Sequence, residues 1–151
     1  MRMMLWITEG TWRGCIDAAR PFLPVDAEVV LLHVSNDDIL EAGHRAFGGL
    51  LGRGHRERDP GARLEPLAAA SADELLHAAA DHLARPATPM RRHGRVEHEV
   101  VAAADTADLL ILARDGDRTR LGPRSIGHAT RFVVDHAPCP VLLVWPAEPG
   151  P

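Results

Sequence analysis

The chain has 151 residues, of which 46% are hydrophobic and 25% charged, with a formal net charge of −4 at pH 7. That length and balance suit one packed domain, exclude wholesale disorder, and give no electrostatic footprint for nucleic acid or an anionic membrane surface. All 17 basic residues are Arg, and the two cysteines, Cys15 and Cys139, form neither a CxxC pair nor a metal spacing, as expected of a reducing compartment. The apolar stretch from Met3 to Ile7 meets Glu9 too soon for a signal-peptide core. No apolar run approaches the roughly 18 residues of a membrane helix, so the expected location is the cytoplasm.

Met3 to Thr8 is the first continuous apolar run, the pattern of a strand covered on both faces. Thr11 is placed to cap a helix that carries Ile16, Ala19 and Phe22 and stops before Pro24. Val29 to Val34 is a second buried strand, broken by Ser35 to Asp38. The glycines and prolines of residues 43–66 predict a long mobile loop, with a weak helix over Asp38 to Leu51. Ser71 and Glu74 have the spacing of a capping box, opening a helix with Leu75, Leu76, Ala79, Ala80 and Leu83 on one stripe, ended by Arg85-Pro86.

Ala87 to Arg92 is expected as an edge strand, because Pro89 cannot donate to a central ladder. Val96, Val100 and Ala103 mark another helix, Asp108 to Ala113 a third strong strand, and Arg114 to Arg124 a polar loop. Ile126, Ala129, Val133 and Val134 predict a last helical face, Pro140 to Trp145 the last strand, and Pro146 to Pro151 a tail. The expected fold is therefore α/β: an open five-stranded parallel sheet with helices on both faces, Rossmann-like, in a single domain over residues 1–146. In such sheets ligands sit beyond the strand carboxyl ends where strand order reverses, which draws attention to Thr8–Thr11, Val34–Asp37 and Ala113–His128.

The stretch Gly127-His128-Ala129-Thr130 through Asp135-His136-Ala137-Pro138-Cys139-Pro140-Val141 resembles the universal stress protein family. Thr8-Glu9-Gly10-Thr11 is similar to the family's Asp-Gly-Ser after the first strand, and Leu31 to Val34 and Ala107 to Ala113 are similar to its second and fourth strands. The resemblance implies the adenine nucleotide alpha hydrolase-like form of the fold and a homodimer through the last strand, Val141–Trp145. It also implies a nucleotide site, with ATP or another adenine nucleotide as cofactor. The positions it points to are Thr8, Glu9, Val34, Ala113, Arg114, Asp117, Arg124, Gly127, His128 and Ala129.

Many members cradle ATP with the motif G-x2-G-x9-G-[ST]. Anchored on Gly127, the motif places Asp117 and Arg114 at the other glycines and His128 at the Ser or Thr, so one position of four is kept. Side chains at 114 and 117 crowd the approach of phosphate to backbone amides, and Asp115 and Asp117 repel it. Against this, Arg114, Arg118, Arg120 and Arg124 offer cations, and the helix start near Ser125–His128 offers N–H groups. A charge-balanced loop with Arg paired to Asp115 and Asp117 is the plainer expectation.

Nothing in the sequence marks an enzyme: there is no GxSxG elbow, no GxxxxGK[ST] loop and no GxGxxG after the first strand. His77 with Asp73 and Asp81 shares a helical face but lacks a third strong metal ligand, and His33 reads as a satisfied rim histidine. The basic cluster His44, Arg45, Arg53, His55, Arg56 and Arg58 is interrupted by acids and has one aromatic, Phe47, so it makes no stacking platform for nucleic acid. Three functions stay open. They are a non-enzymatic stress-response module acting on protein partners with a degenerate pocket, an adenine-nucleotide binder using Arg side chains, and a small-substrate hydrolase in the same crevice.

Overall fold

The computed structural model describes residues 1–36, 60–116, 119 and 125–146. Five parallel strands, β1 (Arg2–Trp6), β2 (Glu28–Asn36), β3 (Thr88–Gly94), β4 (Leu109–Ala113) and β5 (Val141–Val144), lie in the order β3-β2-β1-β4-β5. The helices are α1 (Trp12–Ala19), α2 (Pro60–Leu83), α3 (Val96–Ala104) and α4 (His128–His136), with a 3₁₀ turn at Arg20–Phe22. Strand order reverses between β1 and β4, so the loops that leave these two strands part from each other and open a crevice.

The unbroken apolar runs are explained by two-sided burial. Met3, Leu5 and Ile7 join Val29, Leu31, Ile111 and Ala113 against α1 and α2, where Cys15, Ile16, Leu76 and Leu83 complete the layer. Met4 and Trp6 join Val30, Leu32, Leu110 and Leu112 against α3 and α4, where Val100, Ala104 and Val133 close the other face. Alternation along each strand thus sends odd and even residues into different cores.

Several local expectations are corrected. Helix α1 ends at Ala19, and Phe22 lies in the 3₁₀ turn, exposed. Pro21 is the reason: it lacks an N–H and its ring would clash with the carbonyl four residues back. The Ser71–Glu74 capping box does not operate, since Ser71 lies inside α2, which begins at Pro60. Residues 60–66, expected in a loop, are therefore its first turns. Pro60 suits a helix start, and the inward stripe Ala72, Leu76, Ala79, Leu83 rides on an Ala-rich stretch of high helix propensity. On α4, Thr130 rather than Val134 is buried beside Val133, and Ile126 precedes the helix. The weak helix over 38–51, the basic cluster at 44–58 and the tail from residue 147 lie outside the described residues.

Helices α1 and α2 are also held together by charge. Arg20 donates to Leu83 O (3.2 Å) and His82 O (3.0 Å), occupying carbonyls that the end of α2 leaves free. Asp17 Oδ1 meets His82 Nε2 at 2.8 Å and Arg20 at 3.2 Å. Burial works against the Asp17 carboxylate, but the bonds from His82 and Arg20 outweigh it and hold its carboxyl below the ordinary value. A group with a depressed folded pKa stabilises above its unfolded pKa, and that contribution is lost as pH falls through the folded one. Asp17→Asn should therefore flatten the fall of Tm below about pH 4. The difference at neutral pH should stay under about 1 kcal/mol, because the pair is solvent-exposed. Parallel Tm curves for the two proteins between pH 2 and pH 7 would refute the assignment.

Candidate functional site

The crevice is walled on one side by the loop after β1. Thr8 O accepts from Trp12 N–H (3.1 Å), which folds the chain back into α1, and Gly10 makes the bend with φ of 81°. Thr11 stands at the N-cap position of α1, but its hydroxyl bonds the Thr8 hydroxyl at 2.6 Å instead of capping an amide. Glu9 is exposed at the tip. His33 Nδ1 lies 2.9 Å from Ile7 O, the satisfied rim position expected of it, and Val34 is buried in β2.

The other wall is the loop after β4 and the start of α4, and its geometry departs from the sequence reading. Arg114 does not pair with Asp115. Its backbone N–H donates to Val144 O (3.0 Å), its Nε donates to Ser125 O (2.6 Å), and its guanidinium lies 4.3 Å over the Trp145 ring. Asp115 Oδ1 instead accepts from the Gly127 N–H at 2.9 Å. A Cβ on Gly127 would fall 2.6 Å from Asp115 Oδ2, so only glycine lets the carboxylate sit this close to the helix start. A Cβ on Gly116 would fall 2.2 Å from the Ser125 carbonyl carbon. Three consecutive residues, 114 to 116, thus grip three others, 125 to 127.

The anion at the start of α4 is therefore the chain's own. The helix dipole and the Gly127 N–H favour negative charge there, and Asp115 supplies it. Among the candidate residues, the structure brings Ala113, Arg114, Gly127, His128 and Ala129 together at this wall, with His128 exposed as the first helical residue. Thr8 and Glu9 lie on the opposite loop. Asp117 and Arg124 fall outside the described residues, as do Arg118 and Arg120. Sequence reasoning did not single out Gly116 or assign Asp115 its partner, and it placed Trp145 in the strand, whereas β5 ends at Val144.

Among the described residues no group of three or more His, Cys, Asp or Glu side chains could hold a metal ion, and Asp73 is engaged by Arg91 at 3.0 Å. Burial pushes the Cys15 thiol up to about 12 and raises that of Cys139, as expected of structural thiols. No described helix is long and apolar enough to cross a membrane.

A doubly wound parallel sheet with its switch point between β1 and β4 defines the class: a Rossmann-like α/β protein. The sequence profile of the universal stress protein family matches residues 18–144, and the chain belongs to that family. Among solved structures, it is similar to the hypothetical protein MJ0577, with TM-score 0.71 and 18% identity over 98% of both chains. It is also similar to the universal stress protein UspA from Lactobacillus plantarum, with TM-score 0.64 and 19% identity over 95% of this chain and 97% of that one. A universal stress protein solved in complex with cAMP matches with TM-score 0.63 and 17% identity over 97% and 98% of the two chains. No curated protein matches the sequence.

Proposed function

We propose that the chain is a non-enzymatic stress-response or regulatory module of the cytoplasm. It acts through protein contacts as a homodimer paired along β5, with a crevice that does not hold ATP in the family's usual pose. The contact between Asp115 and the Gly127 N–H carries this reading, because a phosphate seeking that amide meets a carboxylate already bound to it. Among the described residues of that wall, the cation Arg114 is committed to Ser125 O and Trp145.

Calorimetric titration with ATP and magnesium, with AMP and polyphosphate alongside, tests it. The expected result is no saturable heat and no thermal shift with ATP. Binding near one ATP per chain would overturn the reading. One observation favours a second function: a related fold is solved with cAMP. A cyclic nucleotide carries a single phosphate with a smaller charge than ATP, so cAMP belongs in the titration. Saturable binding of cAMP alone would replace the partner-only reading with that of an adenine-nucleotide binder.

A further inference from the structure

We infer that Arg114 couples the start of α4 to the edge strand β5, so that releasing residues 125–127 weakens the pairing of two copies of this chain. The inference rests on the reading of β5 as the self-association edge. One guanidinium is used twice. Its Nε–H donates to the Ser125 carbonyl at 2.6 Å, and its central carbon lies 4.3 Å over the ring of Trp145, which directly follows β5. The backbone of the same residue donates to Val144 O, the last carbonyl of the strand. The end of β5 is therefore held from one residue, and that residue is held in turn by Ser125.

Ser125 owes its place to its neighbours. Asp115 anchors Gly127, and the Gly116 backbone presses against Ser125 and Ile126 without room for a methyl group. A guanidinium is planar, with donors in a fixed fork, so following a displaced carbonyl would shift it from its place over the indole. Trp145 is 54% exposed, and among the described residues Arg114 is the cation over its ring. Loss of the Asp115 contact should travel through Ser125 and Arg114 to Trp145 and fray the end of the edge strand. A mutant cycle tests that chain of named contacts directly.

The experiment compares dimer dissociation constants of the full chain by sedimentation equilibrium for four proteins: wild type, Asp115→Ala, Arg114→Ala and the double variant. Asp115→Ala should raise the dimer Kd about fivefold or more in the native background. It should change Kd less than about twofold when Arg114 is absent. The same factor in both backgrounds, or no change in either, overturns the coupling while leaving the β5 contact standing. A wild type that is monomeric at every concentration overturns the β5 contact itself, and the coupling falls with it. Should Arg114→Ala fail to fold by circular dichroism, Arg114→Lys serves, since it keeps the charge but loses the planar fork. In that background Asp115→Ala should again leave Kd nearly unchanged, and a fivefold rise there would count against Arg114 as the link.

Discussion

Gly116→Ala should lower stability by about 3 kcal/mol, a shift in Tm of about 6–12 °C for a chain of this size. The new Cβ would stand 2.2 Å from the Ser125 carbonyl carbon, 2.3 Å from its oxygen and 2.4 Å from the Ile126 nitrogen. All three are backbone atoms, so no side chain can rotate away. Either the 114–116 segment or the 125–127 segment must move, and the bonds from Arg114 to Ser125 and from Gly127 to Asp115 go with it. Gly10 supplies the control. It has φ of 81° but nothing within 4 Å of a built Cβ, so Gly10→Ala meets backbone strain alone and should cost about 1–2 kcal/mol. Thermal unfolding followed by circular dichroism separates the two. If Gly116→Ala melts within 2 °C of the wild type, the close approach does not constrain the fold.

The contrast between these glycines also shows what a sequence discloses. The strands were legible because burial on both faces leaves an unbroken apolar run, and Met3 to Ile7, Val29 to Leu32 and Leu110 to Ala113 all lie in the core. The helix ends were less legible, since Pro21 and Pro24 are both plausible stops and the chain stops at the first of them. Ser71–Glu74 had the right spacing for a cap. However, the helix runs on back through Ala68, Ala69 and Ala70 to Pro60, so local capping yielded to the helix propensity of the run before it.

At the site, the family motif fixed attention on positions 114 and 117, whereas the close backbone approach is made by Gly116. Nothing local distinguishes a glycine that lies against another backbone from one in open solvent. The partner of Asp115 was equally hidden: Gly127 is 12 residues away along the chain, and a carboxylate two residues beyond a strand can face solvent, an Arg or a helix start. Sequence charge counted Asp115 and Arg114 as neighbours that would cancel. Geometry sends them to different acceptors and donors, which is why the wall carries no free cation next to the helix start among the described residues.

If two copies pair along β5 as proposed, Leu143→Pro should leave the chain monomeric with its sheet intact. The sheet has two edges, and they are unequal. Edge strand β3 contains Pro89, and its Arg91 and Arg92 are tied to Asp73 and Glu99, devices that blunt strand addition. Edge strand β5 reads Val-Leu-Leu-Val, with no charge and no proline. Its inner ladder uses the carbonyls of Pro140 and Val144, which accept from Leu110 and Arg114 at 2.9 and 3.0 Å. The period of two then turns the backbone groups of Val141 and Leu143 outward, away from β4. Proline at 143 removes one of the outward N–H donors that a second β5 would need, and no bond to β4 is lost. The Leu143 side chain is only partly buried against the α3/α4 core, so the cost to the fold should be about 1–2 kcal/mol. Light scattering should report half the wild-type mass, with the circular dichroism spectrum retained. An unchanged dimer would move the contact off β5, and the uncharged edge would then have to be covered by something other than a second β5.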